Sequence, residues 1–233
     1  VLAVVGACGG VGVSVLAASI SMKAHAHAPT LIDGHLRSGG ADLLLGIEER
    51  PGARWGEIAL GEGTIARGDI RRALPATSGD VAVLTSTRAT VADGAAITPS
   101  DVETVVGALA TGGVTVLDVP VEAIPQRCDA AVIVVPGQLR PAAAAARIAA
   151  ELDARGVPHT LVLRRAGWES LTDAEVERVA GSRIIAQLPT SAGLAKTIER
   201  GGLPQRLPRP LAAAAERCLA EVLPAAAREK RAA

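Results

Sequence analysis

Short apolar runs recur along the whole chain, and longer Ala-rich stretches with helical spacing separate them. Each run is bounded by Gly, Pro, Asp or Arg, a pattern typical of buried strands in a parallel sheet. The predicted strands are Val1–Val5, Thr30–Asp33, Val81–Leu84, Val114–Asp118, Ala131–Val135, His159–Leu163 and Ile184–Leu188. Strands that alternate with helices predict an α/β fold: a doubly wound, mostly parallel sheet of about seven strands with helices on both faces. In such sheets ligands bind at the carboxyl ends of the strands.

The predicted helices fill the stretches between these strands. They are Ser14–Ala26, Asp101–Leu109, Pro141–Arg155 and Asp173–Ala180. Ser100 and Glu103 have the spacing of a capping box at the start of one helix. Thr172 and Glu175 repeat that spacing at another. A last predicted helix begins near Pro210 and has one apolar face, which favours docking on the core. That face consists of Leu211, Ala215, Cys218, Leu219 and Val222.

Composition and charge exclude several classes of protein. The 233 residues are 49% hydrophobic and 21% charged, which suits a globular core and not a disordered chain. We expect one domain over residues 1–233. Lys plus Arg number 24 and Asp plus Glu number 24, so the net charge of zero excludes a dedicated nucleic-acid binder. Trp55 and Trp168 are the only aromatic residues, which excludes base-stacking surfaces and tyrosine chemistry.

Cysteine usage and the start of the chain bear on where the protein works. Cys8, Cys128 and Cys218 lie far apart and are odd in number, which suits a reducing cytoplasm better than a disulfide framework. No apolar run approaches the roughly 18 residues of a membrane-spanning helix, so we expect no transmembrane segment. The sequence opens without Met inside a strand-like run, and we expect an additional N-terminal module upstream.

A glycine-rich loop joins the first predicted strand to the first predicted helix, and it is the strongest local signal for a ligand. Its residues are Gly6, Ala7, Cys8, Gly9, Gly10, Val11, Gly12, Val13, Ser14 and Val15. Glycines permit positive φ and close approach, so successive N–H groups can face an anion while the helix N-terminus adds partial positive charge. We predict a phosphate site here; the alternative is a tight turn without a ligand.

Two nucleotide motifs match this loop. The spacing Gly-x-x-x-Gly-x-Gly from Gly6 fits the dinucleotide loop of short-chain dehydrogenases, with Asp33 placed to take a ribose hydroxyl, but their catalytic tyrosine is absent. The run Cys8–Ser14 aligns without gaps to the Lys-Gly-Gly-x-Gly-Lys-Ser/Thr phosphate loop of the ParA/MinD type. In that alignment Ser14 and Asp118, which ends the fourth predicted strand, are candidate Mg²⁺ ligands.

A wider resemblance covers almost the whole chain. It is carried by residues 31–46 (LIDGHLRSGGADLLLG), 51–55 (PGARW), 131–136 with the helix 141–152, and 184–189 followed by 194–204. On these segments the chain is identified as a CpaE/TadZ-like member of the ParA/MinD deviant Walker A P-loop superfamily. It resembles the actinobacterial septum site-determining (Ssd-like) proteins and the CpaE-like proteins of helicase and secretion neighbourhoods.

The resemblance implies a nucleotide site that has lost its catalytic groups. In relatives a lysine at the Val13 position neutralises the β- and γ-phosphates, and one at the Cys8 position reaches across a dimer to the partner's nucleotide. Relatives carry Asp-x-Asp after the second strand, whereas this chain has Asp33-Gly34-His35. Arg164-Arg165 follows a strand where relatives often have an asparagine that reads adenine, so the pair is either a strand-end charge pair that faces solvent or a phosphate or partner contact. Without these groups phosphoryl transfer loses most of its charge stabilisation, so we expect little or no ATP hydrolysis.

Three functions stay open on the sequence. The first is a localisation or regulatory protein of pilus assembly, secretion or septum placement. We expect it to be a homodimer that binds ATP and Mg²⁺ weakly and contacts no specific nucleic acid. We also expect partners to recruit it to the cell pole or septum. The second is a weak ATPase or an ATP-dependent dimer switch. The third is a non-catalytic dinucleotide-binding protein. Trp55, in the glycine-rich and charged excursion 46–76, is either an interface anchor or a pin that holds the excursion on the sheet.

Overall fold

The computed structural model describes residues 1–35, 38–58, 66–86, 98–167 and 169–223. Its helices and strands are β1 (Leu2–Gly6), α1 (Val13–Lys23), β2 (Thr30–Asp33), α2 (Ala41–Leu45), α3 (Arg67–Ala73), β3 (Ala82–Leu84), α4 (Pro99–Leu109), β4 (Thr115–Asp118), β5 (Ala130–Pro136), α5 (Leu139–Ala154), β6 (His159–Arg165), α6 (Asp173–Ala180), β7 (Ile184–Pro189), α7 (Leu194–Gly201) and α8 (Arg209–Ala220). Short 3₁₀ turns span His25–His27 and Val121–Ala123.

The strands form one seven-stranded sheet in the order β3-β2-β4-β1-β5-β6-β7. Every pair of neighbouring strands is parallel. All seven predicted strands are confirmed, with bounds within two residues of those expected. The apolar runs predict them well because both faces of the sheet are covered, so side chains on both faces are apolar.

An apolar core lies on each face of the sheet. Leu2 and Val4 of β1 point into one core, which α1, α2, α7 and α8 cover. Ala3 and Val5 point into the other, which α3, α4, α5 and α6 cover. The carboxyl end of the central strand β1 is therefore held between two packed layers, and the glycine loop follows directly from it.

The capping box predicted at Ser100 and Glu103 is wrong. Thr98 is the N-cap of α4: its hydroxyl accepts from the Asp101 N–H, and the Asp101 carboxylate accepts from the Thr98 N–H at 2.8 Å. The shift has a local cause, since Pro99 has no N–H and its fixed φ suits the first helical position. The residue before the proline therefore becomes the cap.

Other predicted helix features are confirmed. Thr172 caps α6, and Glu175 completes its capping box. Most of the predicted apolar face is buried in α8, with Leu211, Cys218 and Leu219 at most 3% exposed, whereas Val222 lies after the end of the helix and is half-buried. None of the helices in the described parts of the chain has the length and apolar content to cross a bilayer.

Trp55 pins the excursion between α2 and β3 onto the sheet. Its indole Nε1–H donates to Asp33 O at 2.7 Å, and its backbone N–H donates to Thr85 O at 3.0 Å. The side chain is only 7% exposed. Of the two roles expected for this residue, the structure supports the pin, because a buried indole presents no surface to a partner. Trp168 lies outside the described residues.

Candidate functional site

The glycine loop presents a run of unpaired backbone donors at the carboxyl end of β1. Ala7 N–H donates to Val134 O at 2.9 Å, which fixes the start of the loop to β5. From Cys8 to Val15, by contrast, no backbone N–H donates to an acceptor in the described residues. Gly12 precedes α1 with φ 93°, a left-handed conformation that glycine adopts without strain. Such a run before a helix N-terminus forms an anion-binding nest.

The two side chains at the lysine positions bring no charge to this nest. A methyl group on Gly6 would lie 2.8 Å from Val13 Cγ2, so the Val13 side chain folds back over the start of the loop. Cys8 is exposed, and partial burial raises the pKa of its thiol above the ordinary value, which disfavours the thiolate. A phosphate in the nest would thus be held by backbone N–H groups alone within this loop.

Two buried carboxylates end neighbouring strands beside the nest. Asp33 of β2 and Asp118 of β4 are register partners, and each is 2% exposed. Asp118 Oδ1 has no hydrogen-bond partner in the described residues. His35 Nε2 lies 3.4 Å from that oxygen. The interaction with Asp118 raises the pKa of His35 above its ordinary value, against a smaller lowering from partial burial.

Asp33 organises the chain that follows β2. Its Oδ1 accepts from the His35 N–H at 3.0 Å. Its Oδ2 accepts from the Ala41 N–H, the Thr85 hydroxyl and the Ser38 hydroxyl at 3.0, 2.9 and 3.3 Å. Burial raises the pKa of Asp33, while the hydrogen bonds from His35 and Thr85 lower it. Four donors use the acceptor sites of this carboxylate. The contact between Asp33 and a nucleotide stays a prediction. Such a contact requires one of these four donors to leave the carboxylate.

Ser14 and Asp118 fit the ligand set of a magnesium ion. The Ser14 hydroxyl has no hydrogen bond in the described part of the chain. Asp118 Oδ1 is buried, makes no hydrogen bond in the described residues and has the His35 imidazole 3.4 Å away, so a cation or a closer donor would stabilise it further. Mg²⁺ prefers oxygen ligands and is usually shared with phosphate oxygens and water. The described residues contain no cluster of three or more His, Cys, Asp or Glu side chains that could hold a metal ion by themselves.

A cavity of about 490 Å³ opens beside the nest. Gly10 and Gly12 form the side nearest the loop, and Arg164, near the end of β6, lies in its wall. The other lining residues are mostly apolar: Val15, Leu188, Pro189, Thr190, Ser191, Leu194, Ala195, Ile198, Pro208, Pro210 and Leu211. A flat ring with phosphates attached matches this combination of an apolar slot and an adjoining anion nest.

A second cavity, of about 520 Å³, lies at the other end of α1. Lys23, Arg206 and Arg209 are among its lining residues, and Lys23 pairs with Glu216 at 2.7 Å. No residue of the glycine loop lines this cavity. We therefore place the candidate nucleotide site at the cavity beside the nest.

Sequence comparisons find relatives but no described family. No protein-family model matches the chain. Two curated relatives are "Uncharacterized protein MT3760" of Mycobacterium tuberculosis strain CDC 1551 / Oshkosh and "Uncharacterized protein Rv3660c" of strain ATCC 25618 / H37Rv. Each is 38% identical over 233 residues, which cover 97% of this chain. The chain spans 64% of the length of these relatives.

Solved structures decide the fold. A ParA family ATPase from Chlorobium tepidum TLS matches with a TM-score of 0.75 and 18% identity, over 92% of this chain and 98% of that one. A chain of the MinC:MinD cell division protein complex of Aquifex aeolicus matches at 0.74 and 21%, over 96% and 97%. The septum site-determining protein MinD with Mg-ADP from Pyrococcus horikoshii OT3 matches at 0.73 and 17%, over 98% and 97%. The chain has the MinD/ParA fold.

The MinD/ParA fold confirms the predicted α/β class and brings the predicted site residues to one end of the sheet. The nest, Ser14, Asp33 and Asp118 all lie at the carboxyl ends of β1, β2 and β4. The sequence singled out His35 but did not place it against Asp118. It also missed Thr85, whose position directly after β3 was the available signal, because residues that follow neighbouring parallel strands meet at one edge.

Proposed function

We propose that this chain is a ParA/MinD-like localisation or regulatory protein that binds a nucleotide weakly and hydrolyses little or none of it. The observation that carries the proposal is the nest from Cys8 to Val15, whose backbone donors have no acceptor among the described residues while its loop holds no cationic side chain. Backbone N–H groups suffice to hold an anion. Phosphoryl transfer in addition needs positive charge at the phosphates, and here the loop supplies none.

The cellular role that we propose is positioning, in pilus assembly, secretion or septum placement, by a CpaE/TadZ-like protein. The structural similarity to a septum site-determining MinD and to a ParA ATPase supports this class of role. The partners are proteins at the cell pole or septum that recruit the chain. Trp55 is buried, so we place the contact surface elsewhere than on its indole.

Restoring the missing cation tests whether the nest binds phosphate. We expect Val13→Lys to lower the Kd for ATP with Mg²⁺ by about 10- to 100-fold, because hydrogen bonds to charged groups contribute about 1.5–3 kcal/mol. Isothermal titration calorimetry of both proteins measures the change. Val13→Met is the matched control, since it has an unbranched side chain of similar length without the charge.

The Val13→Met control separates the effect of the lysine's charge from the effect of its longer side chain. Val13→Met should leave the affinity within about twofold of the native chain if only charge matters. An unchanged Kd in Val13→Lys would show that the loop does not take phosphate, and the nucleotide part of the proposal would fail.

A second candidate function is an ATP-dependent dimer switch. The Ser14 hydroxyl and Asp118 Oδ1, neither of which makes a hydrogen bond in the described residues, favour it. Light scattering distinguishes the two. For the localisation protein we expect a dimer whose mass does not change when ATP and Mg²⁺ are added, because Cys8 cannot make a charged contact to a partner's nucleotide. A monomer that becomes a dimer only with ATP would favour the switch.

A further inference from the structure

We infer that the cavity beside the nest selects guanine over adenine nucleotides, and that Arg164 makes this selection. The inference rests on the proposed function, since it takes the nucleotide's phosphates to lie in the nest. It concerns the base alone and says nothing of hydrolysis. Its basis is the set of hydrogen-bonding groups that line the cavity.

Arg164 is the only charged side chain among the described residues that line the cavity. Its Nη1 donates to Leu188 O at 2.8 Å and to Arg165 O at 3.3 Å, which fixes one side of the guanidinium. Its Nε and Nη2 have no acceptor in the described part of the chain. The neighbouring Arg165, by contrast, pairs with Asp173. Arg164 therefore keeps donors available to a ligand.

The rest of the lining offers little that would read a base. Leu188, Leu194 and Ile198 supply apolar walls that suit the faces of a flat ring. The Thr190 hydroxyl is already used, because it donates to Arg165 O at 3.0 Å. Ser191 has a hydroxyl that both donates and accepts, so it does not distinguish one purine from another. Among the lining side chains, the guanidinium is thus the group that distinguishes one purine edge from another.

A guanidinium donates hydrogen bonds and accepts none. Guanine presents two acceptors, O6 and N7, on one edge, and a bidentate arginine contact to them is the common way proteins read this base. Adenine presents N7 beside an amino group, so a second donor would face the guanidinium there. An arginine in the base slot consequently favours the oxo purine.

The test is calorimetry of the native chain with GDP, ADP and IDP as probes. We expect GDP to bind about tenfold or more tightly than ADP, the range that a bidentate base contact supplies. IDP should bind like GDP, because it shares O6 and N7 but lacks the amino group on C2. Arg164→Met should remove the difference between GDP and ADP. Arg165→Met is the matched control and should keep it.

Each other result has a separate meaning. Equal affinities of the native chain for GDP and ADP, or an Arg164→Met variant that weakens both equally, would overturn the inference and assign Arg164 to phosphate. GDP binding far tighter than IDP would also overturn it, since another edge of the base would then be read. If none of the three diphosphates bound the native chain or Val13→Lys, the proposed nucleotide site itself would fail. Thermal unfolding of both Met variants confirms that they fold.

Discussion

Phosphate release from ATP is expected to stay at background for the native chain. It should rise by about 10³-fold or more only when Cys8→Lys, Val13→Lys and His35→Asp are combined, because removal of charge-stabilising groups commonly costs that much in phosphoryl transfer. The three substitutions act at different points. The lysines add positive charge at the phosphates, and the aspartate supplies the second carboxylate that relatives carry. Phosphate release at saturating ATP and Mg²⁺ measures the result.

The His35 substitution also changes the proposed Mg²⁺ site. In the native chain the imidazole Nε2 lies 3.4 Å from Asp118 Oδ1, where it offers that oxygen a neighbouring donor. His35→Asp replaces it with a third carboxylate near Asp33 and Asp118, so the site then needs a cation to offset their repulsion. Adding Asp118→Asn to the triple variant is the control, and it should return turnover to background. Robust turnover by the native chain would exclude the localisation protein in favour of a true ATPase.

Local sequence patterns predict the strands of the sheet because each strand is buried on both faces and therefore consists of a short run of apolar residues. Thr30–Asp33 is a run of buried residues between turns, and the structure has the same bounds. Helix starts follow equally local rules, but two signals can compete. At α4 the proline at residue 99 overrides the Ser100 signal, because its missing N–H fixes the first helical position one residue after Thr98.

The candidate site is predictable only as far as it is local. The nest is one contiguous segment, so its residues are visible in the sequence. The contact between His35 and Asp118 depends on β2 lying next to β4, which the order of residues along the chain does not state. Arg164 lines the cavity beside the nest for the same reason, since β6 and β7 bring it beside Leu188. The sequence indicates each of these residues individually, but it does not indicate which residues lie beside them in the folded chain.

The contacts of Arg67 are not indicated by any local sequence pattern. It begins α3, inside an excursion that the sequence presents only as a charged, glycine-rich segment. Its guanidinium donates to Ala28 O at 2.7 Å, to Val114 O at 2.9 Å, and to Leu109 O. It also donates to the Thr115 hydroxyl at 3.0 Å. These acceptors belong to two segments far apart in sequence, at residue 28 and at residues 109–115, and mostly to the backbone, so no side-chain type marks them.

Arg67→Met is therefore expected to destabilise the fold by about 2–4 kcal/mol. The variant keeps an unbranched side chain but removes every donor. The Ala28 carbonyl oxygen then has no donor among the described residues, at a cost of about 1–3 kcal/mol. Val114 O and Leu109 O each lose one of two donors and keep the Thr30 N–H and the Thr115 hydroxyl. One effect opposes this loss. Burial, with a smaller contribution from Arg71, lowers the pKa of Arg67 to about 10, so burying the charged guanidinium itself costs free energy. Relief of that cost is why the expected loss is smaller than the sum over all its acceptors.

Urea unfolding at neutral pH measures this loss, and the same helix provides its control. Arg72 is 76% exposed in its side chain and, within the described residues, pairs with Asp69 three residues earlier. Because exposed pairs of this kind contribute about 0.2–1 kcal/mol, Arg72→Met should lower the free energy of unfolding by no more than that. The slope of the unfolding free energy with urea should be the same in both variants, so that the midpoints report stability alone. A loss in Arg67→Met no larger than in Arg72→Met would mean that water replaces the guanidinium at these carbonyls, and that α3 is held to the sheet by Ile70 and the apolar contacts around it.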